Sequence, residues 1–234
     1  MKLHRFFINS ELIRGGEILS SDKDLISQLK NVLRLKTGDQ VIFLDGLRKE
    51  YRAVIKELDN KIIRGEVIEI SENQNEPELK ITLYQALCKK DKFEWILQKG
   101  TEIGISEFVP VITERTEKLG LNRERAEKIL KEAAEQSERG IIPKLLEIQK
   151  FEEALRPAQD EQKILLDRSG ENIKNYVLRS TNYALNVFVG PEGGWTDQEL
   201  KVAKENGVKI VSLGSRVLRT ETAGAVAAAI LLSR

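Results

Sequence analysis

From residue 80 onward, short runs of β-branched and apolar residues alternate with longer stretches whose apolar residues fall at helical spacing. This alternation constrains the fold more than any other feature of the chain. A helix between two such strands must cross a sheet face, so the strands it joins run parallel. Residues 80–87, 108–112, 163–166, 186–189 and 209–213 read as strands. Phe93, Ile96, Leu97, Gly100 and Ile103 mark one helix face. Ala126, Ile129, Leu130, Ala133, Ala134 and Ser137 mark a longer helix that stops near Gly140. Thr196 and Glu199 form a capping box for a helix ending before Gly207. Residues 73–234 are therefore predicted to form a mostly parallel α/β domain.

The preceding residues follow another pattern. The polar stretch 71–77 (SENQNEP) reads as a linker. Before it, Leu25, Ile26, Leu29, Val32 and Leu33 predict a helix over 22–33, with Ser21 and Asp24 resembling a capping box. Residues 36–39 make a turn, and 41–44, 51–55 and 62–70 read as strands. A small β-barrel over residues 1–72 is the natural closure.

Charge and rare residues narrow the function. Lysine plus arginine number 38 against 37 acidic residues, a formal net charge of +1. Such a chain has no bulk attraction to nucleic acid or anionic membrane, and a partner of either kind needs a local patch. The single cysteine, Cys88, excludes an internal disulfide and a cysteine metal cluster. The single histidine, His4, excludes multi-histidine metal sites and disfavours Ser-His-Asp or Cys-His catalysis. No metal is expected. The apolar run 223–232 is too short to span a bilayer, and the first residues lack a signal-length apolar stretch. A cytoplasmic protein without membrane partners is expected.

In parallel sheets ligands bind beyond the carboxyl ends of the strands. Three predicted strand ends carry unusual turns: 167–170 (DRSG), 190–194 (GPEGG) and 214–222 (GSRVLRTET). In the second, Gly193 and Gly194 allow positive φ and close backbone approach to a ligand. Exposed amides there suit an adenine, a ribose or a carboxylate. Neither GxGxxG nor GxxxxGK[ST] is present, so the usual pyrophosphate cradles lack their signatures. In the third turn Thr220 or Thr222 is placed to cap the small-residue helix 223–232, with Glu221 at its positive end. Capping leaves Arg216 and Arg219 unexplained, and arginine is suited to holding an anion or polarising a carbonyl.

With these residues in view, the sequence resembles the family that methylates N3 of a uridine in small-subunit ribosomal RNA, a branch of the SPOUT methyltransferases. The strings that carry the resemblance are FVGPEGGWTDQE (188–199), LGSRVLRTETA (213–223), the stretch 85–116 and EAAEQSERGIIP (132–143). HRFF (4–7) and VLRLKTGD (32–39) extend it over almost the whole chain. The resemblance implies a PUA-like RNA-binding barrel (1–72) before a SPOUT domain with a C-terminal trefoil knot (73–234). It implies S-adenosylmethionine as methyl donor, a homodimer, and small-subunit ribosomal RNA as partner. The donor would be held by Leu166, Asp167, Gly190, Pro191, Glu192, Gly193, Leu213, Gly214, Leu218, Thr220, Thr222 and Ala223.

Methyl transfer to a uracil nitrogen needs alignment and the removal of one proton, but no protein nucleophile. Arg219 first, and Arg216 second, would stabilise the uracil anion. Glu221 or Glu192 would accept the proton. N3 lies on the pairing edge, so the base must be unpaired or flipped out. RNA contacts are expected from Arg5, Lys30, Arg34 and Lys36 on the barrel and from Lys89, Lys90 and Lys92 beyond it. Trp95 is expected in the core.

Overall fold

The computed structural model describes residues 3–117, 119–156, 162–177 and 184–233. The chain divides into two units, Met1–Glu76 with Ala134–Ile142, and Pro77–Ala133 with Pro143–Arg234.

In the first unit, β1 (Arg5–Phe7), β2 (Ile13–Arg14), β3 (Glu17–Ser20), β4 (Gln40–Leu44), β5 (Lys49–Leu58) and β6 (Ile63–Glu72) form one sheet in the order β1-β4-β5-β6-β3-β2. Only β1 pairs in parallel, with β4. Alternation sorts the faces: β3 buries Ile18 and Ser20 and exposes Glu17 and Leu19. Phe6, Ile18, Val41, Phe43, Ile55 and Ile63 fill the core. The β5–β6 register shifts between Arg52 and Ala53 and again between Ile55 and Glu57. Such bulges bend and twist a long ribbon, which lets it curl around that core.

The expected helix over 22–33 is α1 (Lys23–Ser27) followed by a π-helical turn, Gln28–Val32. Its cap is Asp22 and not Ser21. The Asp22 carboxylate accepts from the amides of Asp24 (2.9 Å) and Leu25 (3.2 Å), a charged acceptor on two otherwise unpaired donors. The π turn rotates Val32 off the apolar face, and it is 71% exposed.

The polar stretch 71–77 is not a loose linker. Strand β6 runs through Glu72, and Asn73 is buried. Its amide donates to Glu50 Oε1 (2.7 Å) and to the carbonyl of Glu138 (2.9 Å). The Glu76 carboxylate accepts from Arg139 Nη2 (2.7 Å) and from the amides of Gly140 (3.0 Å) and Ile141 (3.1 Å). These residues are polar because they satisfy the polar groups of the inserted segment Ala134–Ile142.

The second unit holds β7 (Lys80–Ala86), β8 (Glu107–Ile112), β9 (Lys144–Leu145), β10 (Gln149–Lys150), β11 (Gln162–Asn172), β12 (Ala184–Val189) and β13 (Lys209–Ser212). Their order is β10-β8-β7-β12-β11-β13, with β9 also on β8, and every pairing is parallel. The connecting helices include α2 (Lys90–Ile103), α3 (Arg123–Gln136), α4 (Phe151–Ala154), α5 (Ile173–Val177), α6 (Asp197–Glu205) and α7 (Thr220–Leu232). The α6 capping box forms as read: Thr196 Oγ1 accepts from the Glu199 amide, and the Glu199 carboxylate accepts from the Thr196 amide. Tyr84 stacks on Phe188 at 4.4 Å, and Phe151 packs on Trp195 at 4.8 Å. Trp95 does not join them; it is 40% exposed on α2. Helix α7 packs on α2 and the sheet through Gly224, Ala227, Ala228 and Leu231. Strand β11 bulges after Leu166 and pairs again with β13 at Glu171 and Asn172. At Gly170 an added Cβ would collide with the backbone of Ile210 and Val211, so this approach requires glycine. Among the described residues no helix is long and apolar enough to cross a membrane.

Candidate active site

Strands β12, β11 and β13 are neighbours, and their registers (Leu165 opposite Phe188, Leu166 opposite Val211) bring their carboxyl ends level. The three turns singled out in the sequence therefore meet at one edge of the sheet, where a parallel fold binds ligands. They enclose a cavity of about 190 Å³. Its apolar wall is Leu166, Val189, Leu213, Val217, Leu218 and Ala223, closed by Trp195. Asp167, Arg168, Glu192, Ser212, Arg216 and Thr220 supply polar groups, Gly190, Gly194 and Gly214 supply bare backbone, and Pro191 adds its ring.

Local chemistry fixes this backbone. The Trp195 indole N–H donates to the Leu166 carbonyl (3.1 Å), tying the second turn to the first. The same ring lies on Gly190, where a Cβ would come within 3.1 Å of it. Gly194 (φ +68°) closes a tight turn by donating to the Pro191 carbonyl (2.9 Å). Gly214 has φ +116°, in the left-handed region that favours glycine, and its amide donates to Ser212 Oγ (3.2 Å). Thr220 does not cap α7. Arg219 occupies the cap position without a side-chain bond. Buried Thr220 instead donates its hydroxyl to the Gly190 carbonyl (2.5 Å) and accepts from Gln85 Nε2 (2.9 Å), linking β7, α7 and the 190–194 turn.

Ten of the twelve residues assigned to a donor line this cavity: Leu166, Asp167, Gly190, Pro191, Glu192, Leu213, Gly214, Leu218, Thr220 and Ala223. Gly193 and Thr222 do not. Gly193 faces Arg115, whose Cδ would lie 3.2 Å from an added Cβ, and the left-handed residue of the pair is Gly194 alone. Arg168, Val189, Gly194, Trp195, Ser212 and Val217 also line the cavity; each sits in or beside a turn already singled out.

Arg216 reaches the cavity. The Arg219 side chain is 81% exposed and outside its lining, with Nη1 4.0 Å from Glu221 Oε1. Glu221 is 14% exposed, and its Oε2 is buried without a hydrogen-bond partner. Lys92 Nζ lies between two carboxylates, 3.0 Å from Glu192 Oε1 and 3.8 Å from Glu221 Oε2. Burial alone would raise the Glu192 carboxyl; the Lys92 hydrogen bond and charge, with backbone donors, outweigh it and hold the group below its ordinary value. The Lys92 ammonium is raised, first by that hydrogen bond.

Of the bases expected to meet RNA, four have protein partners. Lys92 serves the carboxylates above, and Arg5 pairs with Glu50 (3.4 Å) and Glu138 (3.1 Å). Lys30 donates to Asn60 Oδ1 (2.7 Å), and Lys90 lies 3.9 Å from Glu94. Arg34, Lys36 and Lys89 are exposed.

Residues 75–232 match an RNA methyltransferase domain, and residues 29–73 match an RNA methyltransferase PUA domain. Ribosomal RNA small subunit methyltransferase E of Bacillus subtilis is 32% identical over 94% of this chain and 93% of its own. The Synechocystis protein of the same name is 38% identical over 86% of this chain and 68% of its own. The crystal structure of the Neisseria gonorrhoeae protein of that name, bound to S-adenosyl methionine, superposes with a TM-score of 0.89 at 32% identity, covering 97% of this chain and 96% of that one. The fold, the convergent turns and this likeness along nearly the whole length place the chain in the ribosomal RNA small subunit methyltransferase E family, with a PUA domain before an RNA methyltransferase domain.

Proposed function

We propose that this protein transfers the methyl group of S-adenosylmethionine to N3 of a uridine in small-subunit ribosomal RNA. It works as a cytoplasmic homodimer, with residues 1–72 recruiting RNA and 73–234 carrying the donor. The observation that carries this reading is the convergence of the three turns on one cavity, in a chain of this family. The residues suit the donor: the apolar wall suits an adenine, the bare backbone suits its polar edges, and at Gly194 and Gly214 a Cβ would meet nothing but open space. Helix α7 leaves Val226 and Ile230 only half-buried in the single chain, which suits a second copy.

When bound, the donor supplies a methyl group already electrophilic on a sulfonium sulfur. The chain has two further tasks. Arg216, at the cavity, and Arg219, on a mobile-length side chain beside it, stabilise negative charge spreading over the uracil oxygens. Glu221 accepts the N3 proton. Its buried Oε2 accepts no hydrogen bond, with Lys92 Nζ 3.8 Å away, whereas Glu192 is hydrogen-bonded to Lys92 and held in its weakly basic form.

The test is nucleoside mass spectrometry of small-subunit ribosomal RNA from a deletion strain. Loss of 3-methyluridine, restored by the gene, supports the proposal. Loss of a ribose-methylated nucleoside instead would assign the same donor site to a hydroxyl acceptor.

A further inference from the structure

The loop after β8 makes a contact that the donor cavity does not itself account for. Residues 113–116 close on themselves: the Thr113 amide donates to Thr116 Oγ1 (2.9 Å), and the Thr116 amide donates to the Thr113 carbonyl (3.1 Å). The Glu114 amide donates to Glu199 Oε1 (2.9 Å), in the first turn of α6. This frame brings Arg115, which does not line the cavity, against the 190–194 turn. Arg115 Nη1 donates to the carbonyls of Gly193 (2.6 Å) and Trp195 (3.3 Å). Those carbonyls flank Gly194, the left-handed residue that lines the cavity.

We propose that Arg115 is a positioning residue for the donor. Its guanidinium holds the peptide entering Gly194 and the peptide leaving Trp195, and so presets the backbone between them and the Trp195 ring against which the donor lies. The inference rests on the donor reading above. It also gives Gly193 a different reason to be glycine: a side chain there presses on Arg115 and not on the ligand. A preset turn binds more tightly because less ordering remains to be done on binding.

The experiment is calorimetric titration of S-adenosylmethionine into the full chain and into Arg115→Ala, Arg115→Lys, Gly193→Ala and the Arg115→Ala/Gly193→Ala double variant. Arg115→Ala is expected to weaken the donor about tenfold by removing preorganisation. Arg115→Lys should recover part of this, because an ammonium lacks the planar fork that spans two carbonyls. Gly193→Ala should weaken binding in the parent and cost nothing further beside Arg115→Ala, since the two share one cause. Steady-state kinetics should show a raised donor KM with kcat unchanged at saturating donor and RNA. If the parent binds and Arg115→Ala binds equally well, Arg115 does not position the turn. If Gly193→Ala costs the same in both backgrounds, the donor itself needs Gly193 and the inference is wrong. If the parent binds no S-adenosylmethionine, the donor reading fails, and this inference fails with it.

Discussion

Replacing Thr220 by valine removes one oxygen atom from the centre of the site and almost no volume. That oxygen donates to the Gly190 carbonyl and accepts from Gln85 Nε2, and the residue is 6% exposed. In the variant the Gly190 carbonyl loses its Thr220 donor, and Gln85 keeps only a 3.2 Å bond to the Ala86 carbonyl for that amide nitrogen. Two buried hydrogen bonds at about 1 kcal/mol net each set the cost near 2 kcal/mol. For a chain of this size each kcal/mol moves the midpoint by about 2–4 °C, so melting should fall by about 4–8 °C. Serine is the control. It keeps the hydroxyl and loses one methyl group, worth about 0.8 kcal/mol. Urea unfolding should therefore rank the parent above Thr220→Ser and Thr220→Ser above Thr220→Val. Donor affinity should follow the same order, because Gly190 is cavity backbone. If valine equals or exceeds serine in stability, the methyl group and not the hydroxyl holds the junction, and the linkage from β7 to the turn is wrong.

Other expectations are as direct. Arg219→Ala should keep its melting temperature and donor affinity, since the side chain is 81% exposed, yet lose about 100- to 1,000-fold in single-turnover rate; normal turnover with weaker RNA binding would make Arg219 a phosphate contact. Arg139→Met leaves the buried Glu76 carboxylate without its 2.7 Å partner and should destabilise the first unit by about 3 kcal/mol, read as a shift in urea midpoint. The Lys92–Glu192 pair gives a pH dependence with two edges. The Glu192 contribution, from a lowered carboxyl, is complete above the unfolded value of about 4.3 and is lost as pH falls through the folded value. The Lys92 contribution, from a raised ammonium, holds below about 10.4 and is lost as pH climbs through the folded value. The melting difference between the parent and Lys92→Met should be flat at neutral pH and shrink toward both extremes; a difference that grows in acid would reverse the assignment.

Local signals made much of this legible. The period of the apolar residues located five of the seven strands of the parallel sheet, missing the two-residue β9 and β10, and Thr196 and Glu199, three residues apart, announced the cap of α6. The glycines of 190–194 and 214 pointed at the cavity because backbone that must turn left-handed or lie against an indole leaves a compositional trace. What the sequence hid were partnerships at long range. Thr220 looked like a helix cap because a hydroxyl before a helix usually is one, but its partners lie 30 and 135 residues away. Arg115 finds its carbonyls 78 and 80 residues on. The polar run 71–77 looked like a linker because its partners, 63 to 65 residues later, share no pattern with it. Between Ser21 and Asp22 only geometry chose the cap.

The insertion of Ala134–Ile142 into the first unit has a consequence for synthesis. A chain made from its N-terminus presents residues 1–76 long before the piece that completes them. Until Arg139 emerges, the Glu76 carboxylate waits without its guanidinium, and the Phe7 amide waits for Glu135, to which it donates at 2.9 Å. Residues 1–76 thus cannot be completed until synthesis has passed through part of the second unit and reached Ile142. A gene fragment cut at the end of β6 would encode a permanently unfinished domain, and a fragment starting at Pro77 would carry Ala134–Ile142 without the strands it belongs to. The two units are interleaved in the order of translation.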